Sequence, residues 1–132
     1  MRLWHQELIN KLPRQQLLGQ HRECCALRGK GWGKKHSTVD YVFENDIEKL
    51  VAYHLKVINE MKARGYNPNP IWEDGRYRGK KVKYDDVDLV KIVRYKNSDI
   101  NIYDYHNDKY LEECIDNLYN KGCICPYIEG VV

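Results

Sequence analysis

Apolar positions recur at helical spacing in three stretches of the chain. The clearest, Ile47, Leu50, Val51, His54, Leu55, Ile58 and Met61, predicts a core helix running from an Asn45/Asp46 cap to a stop at Gly65. Residues 13–28 predict an earlier helix. Pro13 suits its opening turn, no further Pro or β-branched residue interrupts it, and Gly29 offers a stop. At about 100° per residue, Leu17, Leu18, His21, Cys24 and Cys25 share one face, which is expected to be core. Glu23 points the opposite way, beside Gln16 and Gly19 on the preceding turns and Ala26 on the next. A last helix is expected from an Asn107/Asp108 cap through Tyr110, Leu111, Cys114, Ile115 and Leu118 to Gly122.

Between these helices the pattern breaks down. Residues 29–37 carry three glycines and three lysines, which predicts a loop or a loosened continuation of the helix, with backbone that a ligand can approach closely. Residues 67–83 hold Asn-Pro-Asn-Pro and then a basic run from Arg76 to Lys83, read as extended loop. Residues 85–105 give no clean period, although Ile100, Ile102 and Tyr103 could make a short strand. The expected fold is all-α: a compact bundle of about three main helices joined by long irregular connections, with residues 1–132 forming one domain.

Composition narrows the setting. Near the N-terminus Leu3, Trp4, Leu8 and Ile9 are mixed with polar residues, so neither a signal peptide nor a membrane span is expected, and the cytosol is the expected compartment. A monomer is expected. Five cysteines, an odd number without framework spacing, predict reduced thiols. Cys24-Cys25 and Cys123-Ile124-Cys125 do not match structural zinc spacings, so buried thiols are expected, with no metal and no cofactor. The net charge of +3 conceals an asymmetry: the first 36 residues carry +6 and the remainder −3. A localised basic face of this kind suits a polyanion, and equally a solvated surface.

Glu23 is the first candidate for chemistry. A surface helix glutamate normally has a cation three or four positions away, whereas here those positions hold Gly19, Gln20, Ala26 and Leu27. The helix face around it carries Arg22, Gln15 and Gln16, an arrangement suited to holding a ligand.

The run Leu12-Pro13-Arg14-Gln15-Gln16-Leu17-Leu18-Gly19-Gln20-His21-Arg22-Glu23 resembles the first helix of phage endonuclease V, a pyrimidine-dimer DNA glycosylase and abasic-site lyase. Further matches follow in the same order: Gly29, Lys35-His36, then Lys62-Ala63-Arg64-Gly65-Tyr66-Asn67, and Tyr77-Arg78-Gly79, covering roughly the first 80 residues. The resemblance implies a repair enzyme of the bacterial branch of that family, acting on damaged double-stranded DNA, pyrimidine dimers or abasic sites. It also implies a nucleophile that is the α-amine of the chain, here that of Met1, and a key carboxylate, Glu23.

That pairing is chemically sound. An α-amino group has an ordinary pKa of about 7.7 to 8.0, so part of it is neutral near pH 7, and the adjacent Arg2 lowers it further. In the chemistry the resemblance implies, the neutral amine would attack C1′ and displace the base, and the resulting imine would permit β-elimination, with Glu23 stabilising the sugar cation and moving protons. By position the resemblance assigns DNA contacts to Arg2, Gln15 and Arg22, with Gln16 and Gly19 lining the site. Charge alone adds Lys34, Lys35, His36, Arg76 and Arg78. Trp32, flanked by glycines, could wedge between bases or cover the core. Two departures from the family stand out: Gln16 replaces a histidine and Ala26 an arginine. They leave lyase chemistry in place, weaken the case for pyrimidine-dimer recognition, and define the alternative, a non-catalytic DNA-binding protein that retains the fold.

Overall fold

A computed structural model of the chain describes residues 2–34 and 38–122. A short 3-10 turn, Gln6–Lys11, leads into helix α1 (Arg14–Arg28); a single turn, α2 (Asp40–Phe43), precedes the long helix α3 (Ile47–Ala63). Then come a second 3-10 turn (Pro70–Glu73), the one-turn helix α4 (Gly79–Val82), and helices α5 (Leu89–Asn97) and α6 (Asp108–Asn120). Among the described residues there is no strand, only an isolated antiparallel bridge between Tyr77 and Tyr84. The all-α expectation holds, with four rather than three helices of nine residues or more among those described.

The core is built around α3, whose predicted stripe contributes Leu50, Val51, His54, Ile58 and Met61 as buried residues, joined by Ala52, Tyr53 and Val57. Helix α1 packs on one side of it through Leu17, Cys24 and Leu27, and α5 on another, burying only Ile92. Helix α6 lies over the N-terminal segment through Tyr110, Cys114 and Leu118. No described helix is long and apolar enough to cross a membrane.

Several local expectations are revised. Asp46 occupies the N-cap position of α3 but makes no capping bond; its carboxylate instead takes Lys91 at 3.3 Å and the Tyr95 hydroxyl at 3.1 Å, fastening α5. The core face of α1 is shifted: Gln20 and Arg28 are fully buried, while Leu18, His21 and Cys25 are half-buried. Residues 85–105 form α5 and an irregular segment in place of the suggested strand. Ile102 and Tyr103 plug the core from that segment while Ile100 is 75% exposed, because the alternation never persists long enough to pair. Within residues 67–83 the extended reading gives way to the second 3-10 turn and α4. Trp32 packs edge-on against Phe43 at 5.3 Å, the core-covering role. Cys123 and Cys125 lie outside the described residues.

Arg28 ends α1 inside the protein, without a carboxylate partner. Its guanidinium donates to the carbonyls of Trp72, Asp74 and Tyr77, each at 2.8 Å, and rests over the Trp72 ring. Burial lowers its pKa to about 10, so it stays charged near neutrality. Three carbonyls and one imidazole take up its Nη1 and Nη2 donors in place of water, and in doing so bind residues 72–77 to the end of α1.

All four described histidines have lowered pKa values, with burial the leading cause at each: His5, His21, His54 and, to about 3, His106. Their native values lie below the unfolded value of about 6.5, so on acidification the unfolded chain takes up protons that the native state refuses. Stability is therefore full above about pH 6.5 and falls as the pH drops from there toward the native values. Urea unfolding at pH 7.5 and pH 5.0 checks this: the midpoint should be lower at pH 5.0, and an equal or higher one would contradict the assignment.

Candidate functional site

The segment leading to the first turn is extended and would fray unless tied down. It is tied by one buried amide. Gln20, on α1, accepts the Trp4 N–H at 2.7 Å through Oε1, and its Nε2 donates to the Arg2 carbonyl at 3.0 Å and to Glu23 Oε2 at 3.2 Å. The hydroxyl of Tyr53, on α3, stands 2.8 Å from Gln20 Oε1 and 2.5 Å from the Trp4 carbonyl, its single proton shared between them. From above, Tyr110 of α6 donates to the Leu3 carbonyl at 2.6 Å. Residues 2–4 are thus gripped by three helices.

The result sets Arg2 against Glu23. The Arg2 backbone N–H points at Glu23 Oε2 from 3.5 Å, and the Arg2 side chain pairs with Glu113 at 3.3 Å between the rings of Trp4 and Tyr110. Beside them opens a cleft of about 270 Å³ lined by Arg2, Trp4, Glu23, Thr38, Asn117 and Lys121. A larger cleft of about 520 Å³, between the first 3-10 turn and α3, includes Glu7, Lys56, Glu60 and Lys96 and none of the candidate residues.

Of the residues proposed from sequence, Arg2 and Glu23 come together. Gln15 and Arg22 are exposed on α1, Gln16 and Gly19 are half-buried on it, and a Cβ added at Gly19 would lie 3.8 Å from the Arg22 guanidinium. Lys34 is exposed; Met1, Lys35 and His36 lie outside the described residues. Arg76 and Arg78 hold internal partners: Arg76 pairs with Asp74 at 3.3 Å, while Arg78 bonds the Arg28 carbonyl at 2.8 Å and Asp85 at 2.7 Å. The cleft residues Trp4, Thr38, Asn117 and Lys121, and the organising Gln20, were not singled out from sequence. Asn117 and Lys121 reach Glu23 only through the docking of α6, for which no local signal exists, whereas Gln20 had one: it stands three positions before Glu23, on the turn beneath it.

A second cluster lies on the opposite side of α1. His21, Cys25 and His54 bring their ligand atoms within 4.8 Å of one another, the one grouping of metal-ligand type among the described residues. Its hydrogen bonds oppose metal binding. Arg28 can only donate, and its Nη1 lies 3.0 Å from His54 Nδ1, so the neutral ring carries its proton on Nε2 and gives it to His21 Nδ1 at 2.8 Å. A metal on His54 Nε2 would displace that proton and leave Nδ1, which a ligating histidine normally uses as a donor, facing a guanidinium. Burial also raises Cys25 to about 11, keeping it a thiol.

The sequence model of one family, described as pyrimidine dimer DNA glycosylase, matches residues 1–74, which is more than half of the chain. The chain belongs to the pyrimidine dimer DNA glycosylase family. The match covers α1, α3, Arg2, Gln20, Glu23 and Tyr53, the group that fixes the N-terminal segment, and stops before α6. No curated protein and no solved structure matches the chain. At family level this is a DNA glycosylase, with damaged DNA as its substrate class.

Replacing Gln20 by Leu keeps the volume and removes the amide, leaving the Trp4 N–H and Arg2 carbonyl without their partner. Each buried group so orphaned costs about 1–3 kcal/mol. Gln20→Leu should lower stability in urea unfolding by roughly 2–4 kcal/mol, and a loss under about 0.5 kcal/mol, within the range of ordinary surface changes, would show that the amide is not the fastening.

Proposed function

We propose that this chain is a DNA glycosylase and abasic-site lyase that works through an imine on its own α-amine, with Glu23 as its acid–base carboxylate. The observation carrying this reading is the position of the Arg2 backbone nitrogen, 3.5 Å from Glu23 Oε2. Three bonds connect that nitrogen to the α-nitrogen of residue 1, so covalent geometry keeps the two within about 3.7 Å whatever the torsion. Family membership supports the same substrate class.

In the reaction, the neutral amine of Met1 attacks C1′ of the damaged nucleotide. The C1′–N bond to the base breaks as the new C–N bond forms, and the base leaves with the bonding pair and takes up a proton. Ring opening gives the imine, whose acidified C2′ proton passes to Glu23 as the C3′–O bond breaks and the 3′ phosphate departs. Water then hydrolyses the imine and regenerates the amine. Glu23 begins opposite the positive charge that develops on the sugar, where a preorganised carboxylate acts most strongly. The Gln20 amide holds one of its oxygens in place. A 270 Å³ cleft suits one sugar–phosphate unit, which reaches it when the duplex is kinked or a nucleotide turned out.

Borohydride reduction during reaction with abasic-site DNA tests this reading. The protein with its authentic N-terminus should form a covalent adduct that maps to Met1 and disappears when residues are added ahead of it. Glu23→Gln should retain DNA affinity within about threefold and cut strand cleavage by about 10²-fold or more, the range of a lost general acid–base. Binding without any adduct would overturn the lyase reading in favour of the non-catalytic DNA-binding protein.

A further inference from the structure

Six of the 22 lysines and arginines are held in ion pairs among the described residues, and Lys30, Lys80 and Lys81 belong to the larger number that are not. Arg2, Lys62, Arg64, Arg76, Arg78 and Lys91 each pair with a carboxylate. Lys30, Lys80 and Lys81 are exposed, and among the described residues none of them does. These three come from segments about fifty residues apart yet line one groove of about 370 Å³, between the end of α1 and the α4 turn.

This groove is built into the fold. Gly29 and Gly31 line it, and a Cβ at either would come within 2.9 Å of the Arg78 carbonyl or 2.8 Å of the Ala26 carbonyl, so the backbone segments meet with no room for a side chain. The walls are tied by Arg28 to the Tyr77 carbonyl and by Arg78 to the Arg28 carbonyl, each at 2.8 Å. Ala26 also lines it, and in helical register it stands one turn, about 4.5 Å along the axis, beyond Glu23 on the same stripe of α1. Cys25 and Trp72 line it too, so the groove lies round the side of α1 from Glu23, at the end of the same helix. Beside the glycines, Cys25, Ala26, Trp72 and Val82 make the rest of its lining small or apolar, so its charge comes from the lysines and Arg78 and it offers few directional hydrogen-bonding partners, which suits a uniform polyanion better than a partner read base by base.

We propose that this groove carries the sugar–phosphate backbone of one DNA strand alongside the nucleotide in the Glu23 cleft, with Lys30, Lys80 and Lys81 neutralising its phosphates. The proposal rests on the reading of the Glu23 site as a DNA-processing centre. Because the backbone is the same in both, a groove that meets only phosphates contributes equally on damaged and undamaged duplex.

The test is the salt dependence of binding to an abasic-site duplex for three proteins: wild type, Lys30→Gln/Lys80→Gln/Lys81→Gln, and a charge-matched control, Lys91→Gln/Arg94→Gln/Lys96→Gln on α5. Every phosphate that a variant no longer neutralises lowers the log–log slope by about 0.9, so the slope of the groove variant should be shallower by about 2–3. The control should keep the wild-type value, and all three proteins should retain helical circular dichroism. An unchanged slope in the groove variant, or equal reductions in both variants, would overturn the proposal. Borohydride trapping on the same proteins separates it from the reading beneath it. A wild type that binds but forms no adduct removes the lyase and leaves the groove, whereas a wild type that forms the adduct beside a groove variant with an unaltered slope removes the groove alone.

Discussion

A buried carboxamide has to find partners for one oxygen and two hydrogens, and the organisation of this protein around Glu23 follows from how Gln20 finds them. Its oxygen faces the Trp4 N–H and the Tyr53 hydroxyl, and its nitrogen faces the Arg2 carbonyl and Glu23. Exchanging the two ends of the amide would set donor against donor, so the network admits one orientation. A cost of burial thus becomes a specification: the segment ahead of the first turn has one path across α1, and that path runs past the carboxylate.

Helix α1 carries a second device of the same kind at its far end. Arg28 gathers the carbonyls of residues 72, 74 and 77 and so fixes the wall that faces Lys30. One helix therefore organises the cleft at its Glu23 turn and the groove at its last turn. The family match takes in α1, α3 and the loop up to residue 74. Helix α6 lies beyond it; its Tyr110 and Glu113 hold Leu3 and Arg2, and its Asn117 and Lys121 add the other side of the cleft.

The hydrophobic period revealed α1, α3 and α6 because each buries a stripe broad enough to repeat. Helix α5 escaped because it is only nine residues long, too short for its Leu89, Ile92, Val93 spacing to repeat, and it buries Ile92 alone. Glu23 was legible from what its helical neighbours lack. Gln20 carried a local signal in its place on the turn beneath Glu23, but its burial was not legible, nor was that of Arg28, since a polar residue on an amphipathic helix reads as surface and an arginine in the last turn reads as a complement to the helix dipole. Their burial is decided by backbone groups tens of residues away, and no local window contains those. The same holds for Asn117 and Lys121, which join Glu23 only when α6 settles over Leu3.

Fixing residue 2 has an entropic consequence for whatever nitrogen precedes it. A group on a leash of about 3.7 Å explores a sphere of roughly 200 Å³, which corresponds to an effective concentration on the order of 8 M at its mouth. A free amine in solution would have to be supplied at that strength to meet the carboxylate as often. A lysine at the end of a four-carbon stem would search a far larger volume and surrender more rotamer freedom on arrival. In the proposed mechanism, anchoring by the backbone in this way would hold the nucleophile close without a deep pocket.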